Sequence, residues 1–222
     1  MRKKPMETIV RIAAMILSLA CVWDALAGEA VPTPVEPTPV NSRGTSGNIS
    51  LQGASGLDKN PVKSPDGSLM AFVGVVPDCV ISTPGGKVAA SEIWIARTDG
   101  TSATQLVKFH ESQKPEDVLA GFGNLRFSAD GKTLFFTSFA WEGSHALKCC
   151  DLSTGKVRHI APSNGFEILG KGKYKGYFVS LQRRKDRKRG IWYKYCLMSP
   201  QGVEVRDVGD ELRKAVATLE KS

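Results

Sequence analysis

An all-β fold assembled from repeated four-stranded units is what this sequence predicts, on three observations. A turn phrase recurs: Ser64-Pro65-Asp66-Gly67 runs into Leu69-Met70-Ala71-Phe72, and Ser128-Ala129-Asp130-Gly131 runs into Leu134-Phe135-Phe136. Asp caps a tight turn with its own carboxylate and Gly supplies the positive φ of the corner, so each phrase reads as a turn feeding an apolar strand. A second turn recurs at Thr98-Asp99-Gly100, Ser153-Thr154-Gly155 and Ser199-Pro200-Gln201-Gly202, with its glycines 55 and 47 residues apart. That interval suits one four-stranded propeller blade with variable insertions. An apolar stripe at helical spacing follows the last of these turns, so the prediction is a short or incomplete β-propeller of about three to four blades with a C-terminal amphipathic helix.

The elements follow in order. Arg2, Lys3, Lys4 and Arg11 lead into the apolar run Ile12 to Trp23, and Ala25-Leu26-Ala27 precedes Gly28. A basic start, an apolar core too short to span a bilayer comfortably and a small-x-small site read as a signal peptide over 1–27, cleaved after Ala27 to give a periplasmic or secreted product. Cys21 offers a rival reading, a lipoprotein site whose acylation would tether the chain to a membrane. Ser18 stands where that signal usually has Leu, so the ordinary site is preferred. Cleavage removes four basic and two acidic groups, taking the net charge from +8 to +6 over the remaining 195 residues. That length suits one domain with a real core, and the modest positive charge favours anionic surfaces without calling for nucleic acid.

Residues 28–59 read as a linker, because Val31 to Val40 carries proline at every second or third position and a Gly- and Ser-rich run follows to Gly56. A docking peptide for a proline-recognising partner is the alternative to this stiff stalk. Residues 60–208 hold the blades. Strands are expected at Leu69 to Val76, Ser91 to Arg97 and Gln105 to Phe109; at Asn124 to Phe127, Thr133 to Phe139, Ala146 to Leu152 and Val157 to Ile160; and at Tyr174 to Gln182, Ile191 to Met198 and Val203 to Val208. A helix is expected over 209–222, with Asp210 as N-cap and Leu212, Ala215, Val216 and Leu219 as its apolar stripe. Closing a propeller takes about four or more blades. Three leave open faces, for which this helix is the expected lid, with extra strands from Asn48 to Lys59 or pairing of two chains as alternatives.

Asn60-Pro61 to Gly67, Met70-Ala71-Phe72, Glu92-Ile93-Trp94-Ile95 and Thr98-Asp99-Gly100 together resemble the blade repeat of TolB-like β-propeller proteins. Asn124-Leu125-Arg126-Phe127 with Ser128 to Gly131 repeats its opening, and the likeness covers roughly Asn60 to Val208, more weakly in the third blade. The resemblance implies a periplasmic propeller. TolB itself has six blades and a further amino-terminal domain, for which this sequence has neither the length nor the segment.

Propellers of this type also precede serine peptidase domains, but no G-x-S-x-G elbow occurs and the residues after Val208 are too few for a hydrolase domain. No phosphate-cradling loop, dinucleotide fingerprint or metal cluster is found, so no catalytic residue, cofactor or metal is assigned. His110, His145 and His159 are the imidazoles, and Glu111, Glu116 and Asp117 read as a solvated loop between blades. Cys79, Cys149, Cys150 and Cys196 permit two disulfides in three pairings, or free structural thiols; Cys149 and Cys150, adjacent on a strand, are expected to point to opposite faces. The sharpest feature is the basic hairpin Arg183, Arg184, Lys185, Arg187, Lys188 and Arg189, opposed by Asp186 alone, with Lys171, Lys173 and Lys175 expected in the same patch. Guanidinium forks suit phosphate and carboxylate. The competing reading is a solvated tip that prevents edge pairing. Trp94 and Trp192 occupy matching blade positions and are expected to pack, whereas Trp141 is the indole expected in a loop for a ligand.

The sequence therefore points to an exported binding or scaffolding module, not an enzyme, that recognises an envelope protein or an anionic glycan or lipid surface through the basic hairpin. A small periplasmic hydrolase or inhibitor on a propeller scaffold, and a structural subunit that completes its propeller as a homo-oligomer, are the alternatives.

Overall fold

The computed structural model describes residues 61–222; the expected signal peptide at 1–27, Cys21 and the linker at 28–59 lie outside them. Three four-stranded antiparallel sheets make up the described chain, each a meander of consecutive strands. The first holds β1 (Val62–Lys63), β2 (Leu69–Thr83), β3 (Gly86–Arg97) and β4 (Thr104–Val107). The second holds β5 (Gly123–Phe127), β6 (Thr133–Trp141), β7 (Ser144–Asp151) and β8 (Val157–Pro162), and the third β9 (Phe166–Ile168), β10 (Phe178–Asp186), β11 (Gly190–Met198) and β12 (Glu204–Gly209). A helix, α1 (Leu212–Leu219), follows.

The recurring turn phrase has one geometry in both copies. The Ser64 hydroxyl donates to Asp66 Oδ1 at 2.5 Å and accepts from the Leu69 amide at 2.9 Å. In the second copy the Ser128 hydroxyl donates to Asp130 Oδ1 at 2.6 Å and accepts from the Thr133 amide at 3.0 Å. Gly67 and Gly131 sit at φ 72° and 69° as the corner requires. Serine thus locks the turn to the first residues of the following strand, which places that strand against its neighbour in register.

The sheets stack as blades. Ala71, Val73 and Ile93 of the first pack with Leu134, Phe136 and Cys150 of the second, where Phe122 meets Phe136 edge-on at 5.5 Å. Leu147, Cys149 and Ile160 of the second pack with Phe166, Phe178 and Cys196 of the third, where Phe135 meets Phe178 at 5.2 Å. Strand alternation sends Phe135 and Phe136, and likewise Cys149 and Cys150, into different interfaces. The middle blade is covered on both faces, which is why β6 opens as an unbroken apolar run.

Three details depart from the sequence reading. The first and third blades each have a short inner strand that was not expected, β1 and β9, and Tyr174 to Tyr177 belong to the turn before β10. The first hairpin continues past Val76: a bulge between Val75 and Val80, with Asp78 at φ 55°, absorbs Pro77, and pairing resumes from Val80↔Ala89 to Thr83↔Gly86. The helix is capped by Glu211 and not Asp210, and no side chain bonds its first turn; Glu211 itself is extended, at φ −121° and ψ 109°.

As a lid the helix sits where expected. Ala215 and Leu219 are buried against Leu169, Val179 and Leu197 on the outer face of the third blade. The longer loop that replaces the serine turn in this blade receives the helix end, and the Gly170 amide donates to Glu220 Oε1 at 2.9 Å.

Candidate functional site

Because each blade runs in the same strand order, the hairpins β2–β3, β6–β7 and β10–β11 project from one end of the stack. Their contacts confirm it. Gly85, at the tip of the first, lies so close to the second that a Cβ there would stand 2.5 Å from Phe139 Cε1 and 2.9 Å from the Trp141 carbonyl oxygen, so the approach depends on glycine. The Tyr193 hydroxyl of the third hairpin donates to the Gly143 carbonyl oxygen of the second at 3.5 Å. The extended first hairpin is held down by Ile81 and Ala90, buried with Val118 and Ala120 of the link between blades, and by the Ser82 amide donating to Glu111 Oε1 at 2.8 Å.

The third hairpin carries the basic residues. Asp186 Oδ1 accepts from the Lys188 and Arg189 amides at 2.7 and 2.6 Å, so the one acid in the tip is spent on shaping the turn. Lys185, Arg187, Lys188 and Arg189 are exposed, and none has a carboxylate partner among the described residues. Arg189 stacks over Trp192 at 5.9 Å from the ring centre. Arg183 is half-buried beside Gly143. Arg184 differs: it bonds the Glu204 carboxylate and reaches Cys196 Sγ at 3.3 Å, so its charge is already matched within the blade. Lys194 is matched likewise by Asp207 at 2.6 Å.

Lys171, Lys173 and Lys175 do not join this patch. They lie in the turn before Phe178, and Phe178↔Met198 and Asp186↔Gly190 are the opposite ends of the β10–β11 ladder. Trp141 departs from expectation too. It closes β6, opposite Ser144, half-buried, with its indole edge-on to His159 at 6.3 Å, so it packs within the blade instead of standing in a loop. Ile191 and Tyr193, 50% and 46% exposed beside the cations, were read only as strand residues.

A groove of about 290 Å³ lies where the link between the first two blades crosses β7 and β8, lined by His110, Glu116, Asp117, Lys148 and His159 together with Leu119 and Val157. Lys148 is 1% exposed, and its ammonium donates to the Glu116 carbonyl oxygen. Burial pushes its pKa down to about 8 against the counter-pull of Asp117 and Glu116. Burial, then Lys148, lowers His159, whose Nδ1 is buried without a hydrogen-bond partner among the described residues. Glu116 and Asp117 remain exposed, as the solvated-loop reading had it, yet they flank a buried lysine that the sequence reading missed. With its ammonium committed to a backbone carbonyl, Lys148 anchors the 3-10 turn Pro115–Asp117 to the second blade.

The thiols of Cys79, Cys149, Cys150 and Cys196 are all free. Burial raises Cys149, Cys150 (to about 11) and Cys196, which keeps these three protonated and unreactive near neutrality. Among the described residues no group of three or more His, Cys, Asp and Glu is placed to hold a metal ion.

No protein-family model matches the chain, and no curated protein matches it. Solved structures do. One is TolB from Acinetobacter baumannii, with a TM-score of 0.45 and 16% identity over 71% of this chain and 34% of that one. Another is the β-propeller domain of the Trilobed protease from Pyrococcus furiosus, with 0.46 and 16% over 69% and 43%. A third is dipeptidyl peptidase 4 from Porphyromonas gingivalis, with 0.42 and 12% over 68% and 24%. The chain is similar in structure to TolB, to the β-propeller domain of a protease and to a dipeptidyl peptidase, and it spans less than half the length of each of these three.

Proposed function

We propose that this protein is a binding module of the cell envelope, without catalysis of its own, that recognises an anionic ligand through the hairpin end of its blade stack. The observation that carries the reading is that Lys185, Arg187, Lys188 and Arg189 project together and form no ion pair among the described residues, while Arg184 and Lys194 a few residues away are paired. A tip meant only for solubility has no need of such a division. Four cations within five residues present a local field that a phosphate- or carboxylate-rich surface matches, and long-range attraction of this kind speeds encounter and weakens with salt. The envelope assignment rests on the basic, apolar and small-residue order of residues 1–27.

The test compares the full chain with a variant in which Lys185, Arg187, Lys188 and Arg189 are changed to Gln, using soluble polyphosphate as the probe in a salt series. Tight binding that weakens with salt and is lost in the variant, with unchanged thermal unfolding, supports the reading. Equal binding by both proteins, or none by the wild type, overturns it.

A further inference from the structure

We infer that the occupant of this hairpin surface is a phospholipid bilayer with anionic headgroups, which the tip enters with Ile191 and Tyr193 while its cations hold the phosphates. The inference rests on the anion-binding reading above and adds an apolar component to it. Cross-strand partners share a face of the sheet, and here Lys185 stands opposite Ile191 and Arg183 opposite Tyr193. One face of the projecting hairpin therefore carries an aliphatic and an aromatic side chain on β11 beside two long cationic ones on β10. Ile191 is 50% exposed and Tyr193 46%, although most large apolar side chains of the three blades are buried.

A soluble polyanion needs only the cations. Bilayer interfaces need both parts: an apolar side chain to enter the headgroup boundary, an aromatic ring with a polar tip to sit at that level, and Lys or Arg stems that lie along apolar surface while their charges stay at the phosphates. Arg187 and Lys188 at the turn extend the charge beyond Ile191, and Arg189 is held over Trp192. The hairpin is also braced, since Tyr193 reaches Gly143 on the second hairpin, so its exposed face is presented by the stacked blades.

The experiment is cosedimentation of the full chain with vesicles of phosphatidylglycerol and phosphatidylcholine in equal parts, against phosphatidylcholine alone and against soluble polyphosphate. Two variants are compared with wild type: the four-cation Gln variant, and Ile191→Thr, which keeps a strand-forming residue there and leaves the Tyr193 brace in place. All three proteins share residues 1–60, so partitioning due to the apolar run there cancels. Wild type is expected to prefer the anionic vesicles, the cation variant to lose about 5-fold per charge removed, and the apolar variant to lose about tenfold on vesicles while binding polyphosphate as wild type does. A salt series on wild type and on the apolar variant separates the two parts, and the fraction that resists high salt in wild type but not in the variant is the expected apolar share. An apolar variant that matches wild type on anionic vesicles, or a wild type without anionic preference, overturns the bilayer inference and leaves anion binding standing if polyphosphate binding is lost with the cations. Undiminished binding of both probes by the cation variant overturns the two readings together.

Discussion

Lys148→Met tests the reading of the buried lysine as an anchor that folding tolerates at a cost. The side chain is 1% exposed, and burial brings its pKa from 10.5 to about 8. At about 1.4 kcal/mol per unit, holding the charged form in the fold costs on the order of 3 kcal/mol at neutral pH. Methionine of similar length removes that cost but leaves the Glu116 carbonyl oxygen without its donor, a loss of about 1–3 kcal/mol. The variant is therefore expected to be from equal to about 2 kcal/mol more stable than wild type at neutral pH.

The pH dependence is the sharper readout. Between about 8 and 10.5 the unfolded lysine holds a proton that the folded one has released, so wild-type stability rises with pH through this window. The methionine variant lacks the rise. Urea unfolding followed by tryptophan fluorescence at several pH values should show the advantage of the variant falling by about 3 kcal/mol across the window, with the titrations of cysteine and tyrosine cancelling in the difference. A difference that does not change with pH would refute the reasoning, because it would mean that the ammonium keeps its water in the folded state.

Two further outcomes follow from the turns. Gly202→Ala places a Cβ 2.0 Å from the Ile160 carbonyl oxygen at a φ of 87°, so it should push the β11–β12 turn off the second blade and cost about 3 kcal/mol or more by urea unfolding; a cost below about 1 kcal/mol would contradict the close approach. Asp66 is held down to about 2 by the Ser64 hydroxyl first and Ser68 second, so its share of stability is present above its unfolded pKa and is lost as pH falls through about 2. Ser64→Ala should raise that midpoint in an NMR titration of the carboxyl, and an unmoved midpoint would remove serine as the cause.

Much of the blade pattern was legible because turns carry it. Ser64 to Gly67 and Ser128 to Gly131 encode their hydrogen bonds locally, and the residues between them and the next turn read as strands in the first two blades. Strand β9 was not legible: three residues, Phe166–Ile168, give too short a pattern for alternation, and their pairing with Phe178 to Ser180 is set by the third blade as a whole. The arm beyond Val76 was hidden by Pro77 and Asp78, which read as a strand end but form a bulge. Lys148 was hidden for a different reason. A lysine in a strand is ordinarily exposed, and the link crossing from the first blade covers this one. At the hairpin, composition showed the cations but not which were neutralised, since the partners Glu204 and Asp207 come from β12 across the sheet.

Adjacent cysteines in the middle blade give each seam of the stack its own reporter. Cys150, fully buried, faces the first blade, and Cys149, 7% exposed, faces the third. A thiol reagent reaches Cys150 only when the first seam parts, whereas Cys149 also borders an open groove with Phe135, Arg158 and Pro200, so its labelling rate sets an upper bound on opening of the second seam. In a linear stack each interface contributes its own term to stability. If the lid steadies the third blade as a whole, trimming it will speed the labelling of Cys149 under mild denaturant and leave that of Cys150 unchanged.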